Sequence, residues 1–214
     1  AVQDADTVIL VIPSAFFYET FKKIDRKNLE GKTLISAIKG IVPEKNKIVS
    51  DFLVECGFDA KKIVAIAGPC HAEEVAMEKL SYLTIASENE LIASDVSGLL
   101  SCRYIKTTLN KDIIGVEYAA VMKNIMAIAA GICHSLGFGD NFQSVLLSNA
   151  LNEINIFLDT IHPLNRNLNK SAYLGDLAVT AYSQFSRNRT FGAMLGKGYS
   201  VKSAQLEMDM IAEG

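Results

Sequence analysis

The chain has 214 residues, half of them hydrophobic and 21% charged, the composition of an ordinary globular protein with room for one large or two small cores. Its 21 basic and 24 acidic residues leave a net charge of −3 with no basic block or basic-aromatic stripe, which excludes a nucleic-acid footprint. Four cysteines and three histidines are scattered without C-x-x-C spacing, so no metal set is expected and a reduced, cytoplasmic compartment fits.

In chain order, 8–12 reads as a strand, 14–24 as a helix, 33–38 as a strand and 44–55 as a helix. A strand at 63–67, a short helix at 71–78 and a strand at 83–86 follow. Ser87-Glu88-Asn89-Glu90 has capping-box spacing and opens a helix to about residue 100, before a strand at 104–109. The runs at 8–12, 33–38 and 63–67 are continuously apolar, as in a parallel sheet covered on both faces. Strand-helix alternation implies an α/β layered domain over 1–111. Beyond the polar hinge Asn110-Lys111-Asp112 the pattern turns helical, at 113–136, 142–161, 176–185, 189–195 and 201–212. The expected fold is therefore a partial Rossmann-type parallel sheet over 1–111, followed by an all-helical domain over 112–214. The longest apolar run, 125–133, is too short to span a bilayer, so no stable membrane insertion is expected. The chain runs almost at once into a buried-strand pattern and stops just after a helical one, so truncation at both ends is expected. A sheet starting at Val8 would expose an apolar edge, and self-association there is the expected partner behaviour.

Several segments carry chemistry. Lys39, in Ile38-Lys39-Gly40, follows a buried strand, where open α/β sheets bind ligands; the bland alternative is a solvated loop lysine. Gly68-Pro69-Cys70-His71-Ala72 joins a strand to a helix start, which favours an anion or is simply a turn. Cys70 as a nucleophile is disfavoured, because His71 points away from it on a helix. Between Ile113 and Cys133 the charges are Glu117 and Lys123. Lys123 lies among Ala119, Ala120, Met126 and Ala127, so its helix is apolar almost all round and largely buried. Burial makes a lysine a usable base near neutrality; the alternative is a side chain that snorkels to solvent. Asn124 beside it is a candidate to orient a ligand hydroxyl. Gly137-Phe138-Gly139-Asp140-Asn141 is a helix stop and restart, not a nucleotide fingerprint. Asp176, in Gly175-Asp176-Leu177, reads as a helix cap or a hydroxyl acceptor. Ser186-Arg187-Asn188-Arg189 offers several donors, and arginine forks match phosphate.

Taken in order, these segments resemble the bacterial NAD(P)-dependent glycerol-3-phosphate dehydrogenases over essentially the whole chain. The resemblance rests on Pro13-Ser14, Ile38-Lys39-Gly40, Gly68-Pro69 with Ala72-Glu73-Glu74, and Lys123-Asn124. Gly137 to Asn141, Gly175-Asp176-Leu177 and Ser186-Arg187-Asn188-Arg189 with Phe191-Gly192 complete it. It implies a Rossmann domain followed by a helical one, and reversible reduction of dihydroxyacetone phosphate to sn-glycerol 3-phosphate with NAD or NADP, feeding glycerophospholipid synthesis. It further implies that Lys123 is the proton-transferring residue. Lys39, Gly68, Cys70, Lys123, Asp176, Ser186, Arg187 and Asn188 would bind the phosphorylated substrate. Lys39, Ala72, Arg187, Ile211 and Glu213 would contact the cofactor. Two features depart from the family pattern. Cys70 stands where the family usually has Ser or Thr, and no Gly-x-Gly-x-x-Gly fingerprint occurs. The alternatives are a related hydroxy-acid dehydrogenase and a non-catalytic interaction module. In a full-length glycerol-3-phosphate dehydrogenase, replacing Lys123 by alanine is expected to stop turnover with little loss of fold.

Overall fold

A computed structural model describes residues 2–208 and 212. It divides the chain into two compact units, 1–118 and 119–214.

The first unit is built on a five-stranded sheet in the order β1 (Thr7–Leu10), β2 (Thr33–Ser36), β3 (Ile63–Ala67), β4 (Ser81–Ala86) and β5 (Ile105–Asn110). Helices α1 (Ser14–Phe21), α2 (Val49–Glu55), α3 (Ala72–Ala76) and α4 (Glu90–Leu100) join them. β1, β2 and β3 are mutually parallel, with Thr7 beside Thr33 and Leu34 beside Ile63. Consecutive residues of β2 and β3 serve different cores, which is why these strands are continuously apolar. Leu34 and Ile63 pack with Phe17, Leu53 and Phe52 on one face. Ile35 and Val64 pack with Ile85, Ala93 and Val96 on the other. Rings Phe17, Phe21 and Phe52 meet edge-on or tilted in the first of these cores, a geometry that favours aromatic pairs.

β4 runs antiparallel to β3 and parallel to β5, so the sheet is mixed. The β3–β4 connection contains only the five residues of α3, too little helix to cover the sheet as a crossover. The chain instead turns back, and the Tyr82 N–H donates to the Pro69 carbonyl at 3.1 Å beyond the strand end. Gly68 makes this return possible. Its φ is +133°, and a Cβ there would lie 2.6 Å from the Tyr82 carbonyl oxygen.

Of the boundaries that differ from the sequence expectation, two have clear local reasons. α2 starts at Val49 rather than 44 because Val42 and Lys47 form an isolated bridge and Asn46 takes φ 51°. α4 is capped by Asn89, whose Oδ1 accepts from the Leu91 and Ile92 N–H groups. Ser87 is not the cap: its Oγ donates to the Ile63 carbonyl and accepts from the Asn89 N–H.

The helical region holds α5 (Ile113–Ser135), α6 (Asp140–Ile161), α7 (Asp176–Tyr182), α8 (Arg187–Gly196) and α9 (Val201–Glu207). α5 begins in the first unit and ends in the second. At 23 residues it is long and apolar enough to cross a bilayer by composition, yet 56% of its most apolar stretch is buried within the fold. The Gly137 to Asn141 segment is a stop and restart as expected: Gly137 has φ +86° and Gly139 precedes the first residue of α6.

Candidate active site

α5 places Lys123 among buried Ala119, Ala120 and Ala127, and the lysine itself is 5% exposed. It does not snorkel. A lone ammonium in such surroundings costs several kcal/mol. Asp176, 1% exposed, answers it: Lys123 Nζ donates to Asp176 Oδ1 at 2.5 Å. The two charges meet from elements 53 positions apart in sequence.

The backbone before Asp176 is a π-helical turn, Ser171–Gly175, that leads directly into α7. Such wide turns recur at functional sites because they re-aim side chains. Gly175 is already helical, at φ −62° and ψ −46°. Asp176 therefore does not cap α7, which corrects that part of its expected role. Thr180 Oγ1 donates to the Asp176 carbonyl at 2.6 Å and closes the first turn of α7.

α8 carries the next group. Ser186 is its N-cap, buried, with Oγ accepting from the Arg189 N–H at 3.3 Å. Arg187 is exposed on the first turn and Asn188 is buried beside it. This helix lies unusually close to α5. A Cβ on Gly192 would fall 2.0 Å from the Ile128 carbonyl oxygen, and one on Gly131 would fall 2.1 Å from that of Arg189. Glycine at both positions lets the two backbones touch. The helix bearing Arg187 and Asn188 is thereby held against the helix bearing Lys123.

The remaining candidates belong to the first unit. Lys39 is half-buried just past the end of β2. Gly68 is buried at the end of β3, Cys70 is half-buried, and Ala72 is the exposed first residue of α3. β2 and β3 are parallel, so Lys39 and Gly68 follow the same, carboxyl end of the sheet. Ser14, 8% exposed, opens α1 after the carboxyl end of β1. A concavity of about 250 Å³ lined by Lys32, Asp59 and Lys62 lies at the amino ends of β2 and β3, away from these residues. Ile211 and Glu213 lie outside the described residues. No cluster of three potential metal ligands occurs among the described residues.

One buried charge within α5 went unassigned in the sequence. Glu117, 5% exposed, accepts from the Ser50 N–H through Oε2 at 3.1 Å. α2 has no side-chain cap of its own, since its N-cap is Ile48; Glu117 takes that place from a distant element. Desolvation pushes its carboxyl up to about 7, and Asp51 adds to this, while contacts from Ser50 and Ser36 hold it back. Oε1 and both serine hydroxyls lie outside strict hydrogen-bond geometry. The signal for this residue was the one used for Lys123, a charge within an apolar helix.

The chain matches known proteins along nearly its whole length. Residues 1–93 match the family described as the NAD-dependent glycerol-3-phosphate dehydrogenase N-terminus, and residues 112–214 match the corresponding C-terminus. The chain belongs to this dehydrogenase family. A glycerol-3-phosphate dehydrogenase [NAD(P)+] of Prosthecochloris aestuarii is 36% identical over 216 residues, covering 100% of this chain and 65% of the relative. The enzyme of that name from Clostridium botulinum strain Eklund 17B is 34% identical and covered over 64% of its length. The chain thus spans just under two thirds of these family members. Among solved structures, glycerol-3-phosphate dehydrogenase from Coxiella burnetii superposes with a TM-score of 0.88 at 28% identity, covering 100% of this chain and 65% of that one. The Dunaliella salina structure gives 0.90 at 26% identity, covering 38% of its longer chain. The sheet followed by helices seen here is accordingly the fold of the family.

Proposed function

We propose that this chain supplies the proton-transferring and substrate-holding residues of an NAD(P)-dependent glycerol-3-phosphate dehydrogenase. The reaction is the reversible reduction of dihydroxyacetone phosphate to sn-glycerol 3-phosphate, a precursor of glycerophospholipids. The observation that carries the reading is the buried Lys123–Asp176 pair, whose two charges meet within the helical unit.

Lys123 is the acid in the reductive direction. Its ammonium gives a proton to the carbonyl oxygen at C2 as that oxygen becomes a hydroxyl, and takes one back in the oxidative direction. Asp176 holds the ammonium in place and balances its charge, so the side chain is aimed before substrate arrives. Ser186, Arg187 and Asn188, on the first turn of α8, hold the substrate phosphate. Arg187 is exposed enough to receive it, and the amides of a ten-residue helix favour an anion at that end. Fixing the phosphate fixes C2, and orientation of this kind removes much of the entropic barrier.

A dinucleotide fits the first unit. The carboxyl ends of β1, β2 and β3 lead into Ser14, Lys39 and Gly68 respectively, the end of a parallel sheet where such ligands bind. Lys39 and Ala72 would contact it, with Lys39 also meeting substrate and Arg187 the cofactor phosphates, while Gly68 and Cys70 would line the substrate site. When bound, the reduced nicotinamide supplies the hydride. Free thiols at Cys56, Cys70, Cys102 and Cys133 support a reducing, cytoplasmic setting.

The test is an assay of the full-length protein with dihydroxyacetone phosphate and reduced nicotinamide cofactor, beside small hydroxy acids with the oxidised cofactor. Turnover confined to the phosphorylated substrate is expected, and Arg187→Ala should raise its KM strongly. Turnover of hydroxy acids in its place would contradict the reading.

A further inference from the structure

The chemistry assigned above uses Lys123 and leaves Glu117, the second buried charge of α5, without a role. Glu117 links α5 to α2 within the first unit. Its Oε2 takes the Ser50 N–H of α2 at 3.1 Å. The hydroxyl of Ser36, the last residue of β2, lies outside hydrogen-bond geometry but helps hold the carboxyl's pKa back. All three residues are buried, at 5%, 6% and 2% exposure. Ser36 lies three positions before Lys39, and Glu117 lies six before Lys123 on one unbroken helix, about 9 Å along its axis.

A carboxyl buried at this depth is costly and contributes little to stability by itself. Its geometry does something else. It fixes the first turns of α5 against the start of α2. Lys123 follows within two turns of the same helix.

We propose that Glu117 is a positioning residue for Lys123, tying the start of α5 to the first turn of α2. The inference rests on the dehydrogenase reading. The lock is sensitive to pH, because the carboxyl titrates near neutrality. The charged groups around it are few. α2 contributes Asp51, which opposes ionisation, and β2 contributes the uncharged Ser36. On α5 itself the neighbour Tyr118 has a phenol raised by burial, then by Asp51 and Glu117.

The test compares wild type, Glu117→Gln and Glu117→Ala in the full-length protein, with kcat and KM measured from pH 6 to 8. Gln keeps the shape and one acceptor but cannot ionise; Ala removes the lock. Expected is a fall in kcat of at least about ten-fold in Ala, with KM for the phosphorylated substrate within about two-fold. Gln is expected to restore most of kcat and to lose the part of the pH dependence near 7. Melting of each variant confirms the fold. A wild-type pH profile left unchanged by Glu117→Gln, or equal kcat in all three proteins, would overturn the positioning role while the dehydrogenase reading stood. A folded wild type inactive on dihydroxyacetone phosphate would overturn both.

Discussion

Removing one partner of a buried ion pair strands the other charge, at a cost of about 3–5 kcal/mol. Lys123→Ala would take from Asp176 its ion-pair partner, and the two side chains are 7% and 2% exposed. The sequence suggested that this substitution would spare the fold; the pairing changes that expectation. Chemical denaturation should show each single variant, Lys123→Met or Asp176→Leu, destabilised by that order. The double variant should recover much of the loss, because neither charge is then stranded, while remaining inactive. Equal destabilisation in singles and double would argue that the pair is not coupled. Glu117 gives a second signature. In the unfolded chain its carboxyl ionises near 4.5, and in the folded chain at about 7. Between these values the folded state holds a proton that the unfolded state has released. Stability should therefore fall as pH rises from about 4.5 to about 7, then level, by about 3 kcal/mol in all. Thermal melts at pH 5 and pH 8 should differ in wild type, and the part due to this group should vanish in Glu117→Gln.

At the scale of elements, α8 and α5 pack with backbone against backbone. Gly192→Ala would put a Cβ 2.0 Å from the Ile128 carbonyl oxygen, and that atom cannot swing away as a side chain could. The helices must separate, which should cost about 3 kcal/mol and weaken phosphate binding through the displaced Arg187. A melt and a substrate KM measured together would show both effects; a variant with unaltered melting would contradict the close crossing. Elements were legible where one pattern decided them. β3 fills 63–67 as read, and α5 ends one residue short of the expected 136. The α2 start and the α4 cap were misread because a bridge and an Asn side chain offered local alternatives to the helix. The antiparallel turn from β3 to β4 was missed for a different reason. Continuous apolarity reports burial on both faces and carries no strand direction. Lys123 stood out as a charge in an apolar helix, whereas its partnership with Asp176 joins residues far apart in sequence, and no spacing rule spans that gap.

At the scale of the whole molecule, α5 belongs to both compact units and carries Glu117 in one and Lys123 in the other. Among the described residues, β1 is an outer strand of the sheet and pairs with β2. Ile9 is 46% exposed there and Val11, just beyond, 69% exposed. Unpaired apolar edges recruit further strands, so light scattering of the 214-residue chain should show concentration-dependent association that Val11→Lys reduces. A monomer at every concentration would contradict this. The central claim is that Lys123 moves the proton, and turnover by the full-length Lys123→Met variant tests it most directly, with Lys123→Met/Asp176→Leu as the folded control. The account predicts a loss of about 10²–10⁴-fold in kcat for both proteins, with substrate phosphate still bound. A kcat near that of the wild type in either folded variant would contradict it.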